Sequence, residues 1–145
     1  MSGNISLILR RTMKAPVSRV FEAWTRPEQI LRWWGPRPIT CSEAQVDLRV
    51  GGAYRIGNRL PDGSLIFIFG EFELVEPPHR LAYSWFVERP GGVVSEASRV
   101  LVRFEPHAEG TELIIVHERI ETEALRGDHQ QGWSGCLDNL AATFI

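Results

Sequence analysis

The sequence predicts an α+β fold: a seven-stranded antiparallel sheet and a long C-terminal helix, with two short helices after the first strand. Three observations carry this. β-Rich runs between positions 39 and 120 are separated by hairpin-length turns of Gly, Pro and Asp, the spacing of an antiparallel meander. Two short helical patterns follow the first strand. From Glu121 onward the apolar residues recur at helical rather than strand spacing.

Ile5 to Met13 is β-rich and ends at Lys14-Ala15-Pro16. Pro16 suits the first turn of a helix, where its missing N–H is no loss. Val17, Val20, Phe21 and Trp24 then recur at i, i+3, i+4 and i+7, one apolar helical face. Thr25-Arg26-Pro27-Glu28 reads as a capping box opening a second helix with Ile30, Leu31, Trp33 and Trp34, which Gly35-Pro36 stops.

The strands follow. Ile39–Arg49 turns at Gly51-Gly52 into Ala53–Leu60, and Pro61-Asp62-Gly63 leads to Leu65–Val75. In that turn Pro presets φ, Asp bonds the backbone and Gly accepts φ > 0. Pro77-Pro78 precedes Arg80–Glu88, Pro90-Gly91-Gly92 precedes Ala97–Glu105, and His107–Gly110 leads into Thr111–Ile120. In the last segment Leu125, His129, Trp133, Leu137, Leu140 and Phe144 fall on one helical face. Gly132 and Gly135 inside it each cost about 1 kcal/mol of helix stability relative to Ala. A close approach to the sheet or to a ligand would justify them.

The chain has 145 residues, 43% hydrophobic and 23% charged, and is expected to form a single domain over residues 1–145. The net charge is −2 with no basic stripe, so nucleic acid is not an expected partner. No apolar run approaches the roughly 20 residues that span a bilayer, so no membrane insertion is expected. Met1-Ser2-Gly3-Asn4 leads straight into a strand pattern, so no signal peptide is expected. Cys41 and Cys136 lie far apart with no CxxC, which reads as two reduced, unbridged thiols and a cytoplasmic location.

Known catalytic patterns fail. Gly132-Trp133-Ser134-Gly135-Cys136 lacks the glycine spacing of GxSxG and falls within a helix. His117-Glu118-Arg119-Ile120-Glu121 has Glu where a zinc helix needs its second His. In a strand, His117 and Glu118 also point to opposite faces. His79, His107, His117 and His129 form no close sequence pair, and no Gly-rich phosphate loop follows a parallel strand. No metal or cofactor is expected. Asp47, before the Gly51-Gly52 turn, reads as structural, satisfying backbone donors or pairing with Arg55.

The order of elements resembles the helix-grip fold of the START and birch-pollen-allergen-like (SRPBCC) superfamily. The motifs point to one branch. Ala15-Pro16 with Val20-Phe21-Glu22-Ala23-Trp24-Thr25, Pro27-Glu28 with Trp33-Trp34-Gly35-Pro36, and Asp47-Leu48-Arg49 with Gly51-Gly52-Ala53-Tyr54-Arg55 come first. Asp62-Gly63, Gly70-Glu71-Phe72, Pro77 with Arg80-Leu81, Tyr83-Ser84-Trp85, Gly110-Thr111-Glu112-Leu113 and Gly132-Trp133 follow in order. These resemble the C-terminal domain of the activator of the heat-shock protein 90 ATPase and its bacterial homologues, over nearly the whole chain. In such relatives the last helix runs on by several residues, so a chain stopping at Ile145 is expected to be truncated or unusually short there.

The resemblance implies a sheet curved around the C-terminal helix and an internal cavity for a small hydrophobic molecule. Candidate binding residues are Trp33, Trp34, Tyr54, Phe67, Phe69, Tyr83, Trp85, Arg103, His117, Trp133 and Leu137. Each aromatic taken alone also fits plain core; together they exceed what a sheet and one helix need to pack. The expected cavity wall is Trp33, Phe69, Tyr83, Trp85 and Trp133, with His117, Glu71 and Arg103 as polar groups facing it or standing at its rim. Binding or transport of a small hydrophobic ligand is the function expected. The alternatives are a cyclase or hydratase acting on a hydrophobic substrate, and a stress-related co-chaperone or protein-interaction module. The last is weakened by the lack of an N-terminal domain like that of the eukaryotic co-chaperone. A homodimer stays open as a further association.

Overall fold

A computed structural model describes residues 4–35 and 37–144. Met1–Gly3, Pro36 and Ile145 lie outside the described residues, and with them the expectations about the leader, the proline stop and the final helix's last residue. Strand β1 (Ile5–Met13) is followed by α1 (Val17–Thr25) and α2 (Pro27–Trp33). Then come β2 (Thr40–Val46), β3 (Ala53–Arg59), β4 (Leu65–Glu76), β5 (Arg80–Arg89), β6 (Val93–His107) and β7 (Gly110–Ile120). Helix α3 (Glu123–Ala142) closes the chain. The seven strands form one antiparallel sheet in the order β1-β7-β6-β5-β4-β3-β2, so only the β1–β7 pairing joins strands distant in sequence.

Alternation along the strands sets two faces. Leu81, Tyr83, Trp85 and Val87 of β5, Val100, Val102 and Phe104 of β6, and Leu113, Ile115 and His117 of β7 are buried on the inner face. Helix α3 lies across it and buries Trp133, Cys136, Leu137 and Leu140, the stripe its spacing predicts. Thr122 caps the helix, its hydroxyl oxygen accepting from the Leu125 N–H at 3.1 Å. Among the described residues no helix is long and apolar enough to cross a membrane.

The α1–α2 junction differs from the capping box. The N-cap of α2 is Arg26, held extended by the proline that follows it. Thr25 is thereby left as the last residue of α1, where its hydroxyl donates to the Phe21 carbonyl at 2.9 Å. Strand β6 starts at Val93, four residues before the predicted Ala97. Gly91 and Gly92, both at positive φ, make a turn tight enough for Val93 to pair with Arg89.

Candidate functional site

The five tryptophans of the chain meet in one cluster between the sheet and the helices. Trp24 stacks on Trp133 at 5.8 Å and 12°, and lies 4.8 Å from Trp33. Trp34 stands 5.6 Å from Trp133 and 6.1 Å from Trp85. On the α1–α2 side this cluster is closely packed, broken by a gap of about 20 Å³. On the other side it stops short, and a cavity of about 210 Å³ begins.

Each wall of the cavity comes from one element. Trp34 and Ile39 stand at the α2–β2 connection, and Asn58 on β3. Ile66 and Ile68 come from β4, and Trp85, Val87 and Arg89 from β5. Helix α3 supplies Leu125, Asp128, His129, Gly132, Trp133 and Cys136, one helical face. Arg89 and Asp128 are exposed and mark the mouth, while Trp34, Asn58, Trp85, Val87, Trp133 and Cys136 are the buried part of the lining. A Cβ built on Gly132 meets no atom within 4 Å, so the absence of a side chain there keeps the cavity open.

Of the residues singled out from sequence, Trp34, Trp85 and Trp133 line this space. Trp33 does not. It is 1% exposed, and its indole N–H donates to the Ala23 carbonyl at 2.9 Å, which makes it core. Leu137 is likewise fully buried core. Tyr54 and Tyr83 border a separate gap of about 20 Å³ beside Trp24, too small to hold more than a water. Phe67, Phe69, Glu71 and Arg103 belong to the outer face. There Phe69 stacks on Phe86 at 5.4 Å, the Arg55 guanidinium covers Phe67 at 3.9 Å, Glu71 is exposed, and Arg103 pairs with Glu105. Arg55 also reaches Glu88 at 3.3 Å, so Asp47 pairs with Arg49 instead, at 2.9 Å.

His117 stands behind the wall. Trp133 Nε1–H donates to its Nδ1 at 3.1 Å, so the ring's proton is on Nε2, which donates to Ser98 Oγ at 2.8 Å. Ser98 therefore cannot hand its proton to this imidazole, and the pair is no nucleophile and base. Burial, and then the neighbouring His129, hold the His117 pKa down to about 3. Glu118 points the other way, to Arg99 at 3.2 Å.

The sequence reading missed His129, whose ring centroid lies 4.3 Å from that of His117 and 5.8 Å from Trp85. The signal was present, because His129 precedes Trp133 by one helical turn on the same stripe. Ile66 and Ile68 were hidden in the apolar run Leu65–Phe69, whose parity cannot be read from pattern alone. Cys41 and Cys136 are both free thiols, with burial raising their pKa values to about 11 and about 12. Among the described residues no three His, Cys, Asp or Glu side chains gather as a metal-ligand set.

Solved structures share this architecture. A protein from Chromobacterium violaceum is 26% identical, with 96% of each chain covered and a TM-score of 0.85. The AHSA1-like protein of Aeromonas hydrophila is also 26% identical, covering 95% of this chain and 90% of its own at a TM-score of 0.79. The AHSA1 protein of Silicibacter pomeroyi, 23% identical with 96% of each chain covered, superposes at a TM-score of 0.86 and shares the fold. No curated protein matches the chain. The family described as Activator of Hsp90 ATPase homolog 1-like protein matches residues 14–144, which takes in every element from α1 to α3. The chain belongs to that family.

Proposed function

We propose that this chain binds a small hydrophobic molecule in the cavity between α3 and strands β4 and β5, with no covalent chemistry of its own. The observation that carries this reading is the cavity wall. About 210 Å³ is bounded by three indoles and the branched side chains of Ile66, Ile68 and Val87. At about 30 Å³ per atom, the share of one water in the liquid, that is room for roughly seven heavy atoms. Apolar surface removed from water there contributes about 25 cal/mol per Å². A binding role is favoured over a catalytic one because the buried His117 is neutral and has both ring nitrogens engaged behind Trp133. The family's description points to co-chaperone work in relatives; here the open cavity favours the ligand reading. The two free thiols support a cytoplasmic setting.

The test is a ¹H–¹⁵N titration with 2-methylhex-1-ene, a neutral hydrocarbon of matching size. Saturable shifts are expected at the Val87, Gly132 and Trp133 amides and at the Trp34 and Trp85 indoles. No shifts up to the solubility limit, or shifts centred on the outer-face residues Phe69 and Phe86, would overturn the reading.

A further inference from the structure

The buried part of the cavity wall holds an amide. Asn58 of β3 is 6% exposed and borders the main cavity. Strand alternation puts it on the face of the buried Tyr54 and Ile56, with Cys41 of β2 and Ile66 of β4 as its register partners. Its Nδ2 donates to the Ile56 carbonyl at 3.5 Å and to the Ile66 carbonyl at 3.4 Å. These bonds are long, but they fix the sense of the amide, because turned over Oδ1 would confront two carbonyl oxygens. Oδ1 is the end left over, and among the described residues nothing donates to it. Trp85 Nε1 is the one buried side-chain polar atom among the described residues that is both sealed and unpartnered. Asn58 Oδ1, unpartnered as well, is therefore not sealed, and the space that Asn58 borders is the cavity. A donor brought by a ligand would meet an acceptor there that the protein leaves unmet.

The other polar groups of the lining narrow the class. Cys136 Sγ already accepts from the Gly35 N–H at 3.3 Å, and Trp133 gives its N–H to His117. His129 is half-buried, with its ring centroid 4.3 Å from that of His117. Trp34 borders two further gaps as well as this one, so its N–H assigns nothing here. A carboxylate or a carbonyl would set a second acceptor against Oδ1. An ammonium could donate, but Arg89 stands exposed at the same mouth as Asp128, so no net negative charge offsets its lost hydration. A hydroxyl donates without carrying a charge. Resting on the reading that the cavity takes a small hydrophobic molecule, we infer that its ligands are neutral hydroxyl compounds, alcohols or phenols. The hydroxyl donates to Asn58 Oδ1, and the hydrocarbon part lies against Ile66, Ile68 and Val87.

The experiment titrates four probes that differ only in the group on the second carbon into wild type and Asn58→Leu. They are hexan-2-ol, hexan-2-one, 2-methylhex-1-ene and hexan-2-amine, the last an ammonium at pH 7. The readouts are binding curves and the Asn58 ¹³Cγ resonance, which moves downfield when its oxygen accepts a hydrogen bond. The alcohol is expected to move it downfield and the alkene to leave it. The alcohol-to-alkene affinity ratio is expected to fall about five- to tenfold in Asn58→Leu, the worth of one neutral hydrogen bond, while the ketone-to-alkene ratio does not fall. An unchanged alcohol ratio, which would make His129 or another group the partner, overturns the assignment. An equal fall for the ketone, which would put the amide N–H in the cavity, also overturns it. In both cases alkene binding still upholds the cavity reading, whereas binding of no neutral probe overturns both. Amine binding more tightly than the alcohol overturns the neutral class. Should Asn58→Leu fail to fold or to bind, the wild-type ¹³Cγ decides: a downfield move with the alcohol alone supports the assignment, and no such move refutes it.

Discussion

The indole of Trp133 and the imidazole of His117 are joined by a hydrogen bond of 3.1 Å, donor on α3 and acceptor on β7. That bond fixes the histidine as the neutral Nε2–H tautomer, because a proton on Nδ1 would confront the indole N–H with another donor. Ser98 on β6 receives the Nε2 proton at 2.8 Å. Helix and sheet are thus linked through one ring that cannot charge without breaking the chain of bonds. The ring stands behind Trp133, which lines the cavity, and so holds that indole from the side away from the space.

Acid should therefore loosen the fold in a defined window. The His117 pKa is held down to about 3 by burial and then by His129, against an ordinary value of about 6.5 in the unfolded chain. The unfolded state takes up this proton first, so the contribution is intact above pH 6.5 and is lost as pH falls toward 3. Between pH 7 and pH 5 the loss is about 2 kcal/mol. Urea unfolding at the two pH values should show it. His117→Gln, which keeps an acceptor and a donor but no titrating group, should abolish most of that difference; an equal acid sensitivity in the variant would place its cause elsewhere.

Trp133 combines three roles that substitutions can separate. Trp133→Ala removes the stack on Trp24, the hydrogen bond and the packing against Trp34, and should cost about 3–5 kcal/mol. Trp133→Phe keeps a ring and loses the N–H, leaving the buried His117 Nδ1 unmet, so about 1–3 kcal/mol is expected. Urea midpoints for the two variants check this. A neutral Trp133→Phe would mean that the indole N–H contributes nothing and that His117 readily changes tautomer.

The stripe Leu125, His129, Trp133, Leu137 and Leu140 was legible because helical spacing commits a residue to a face. The meander from β2 to β7 was legible because each turn declares its own chemistry, whereas the pairing of β1 with β7 has no turn to announce it. What failed was parity in β4. Leu65-Ile66-Phe67-Ile68-Phe69 is apolar at every position, so alternation offers no choice of face. The larger Phe pair suggests the inside, yet it lies outside, where Phe86 and the Arg55 guanidinium cover it. Arg103 failed differently: it alternates with the buried Val102 and Phe104, and that parity should have placed it outside. His117 and His129 could be brought together only by docking α3 on β7, a contact no local pattern encodes.

Gly132 offers a way to alter the cavity without disturbing the core. No atom lies within 4 Å of a Cβ built there, so Gly132→Ala should stabilise by about 0.5–1 kcal/mol through helix propensity alone. Gly132→Leu should fill the space between Trp85 and Ile66 and abolish binding of 2-methylhex-1-ene while the protein stays folded. Phe69→Ala, on the outer face, should leave binding unchanged. Thermal melts and the NMR titration report both effects; retained binding in Gly132→Leu would move the ligand to another site.

The same substitution should have the opposite sign at Gly70. This residue of β4 sits opposite Tyr54 of β3, and a Cβ on it would stand 2.1 Å from the Ser84 carbonyl oxygen on β5. That oxygen accepts the Tyr54 hydroxyl at 2.7 Å, and the Ser84 hydroxyl oxygen accepts from the Glu71 N–H at 2.9 Å. The clash is with backbone, so no flexible side chain can move aside; β5 would have to shift next to Trp85. Gly70→Ala should destabilise by roughly 1–3 kcal/mol, as overpacking does, and should weaken ligand binding because Trp85 moves with its neighbour. Denaturant unfolding against Gly132→Ala as the matched control reads the sign directly. Stabilisation by both substitutions would show that β4 and β5 approach less closely at Gly70 than 2.1 Å implies.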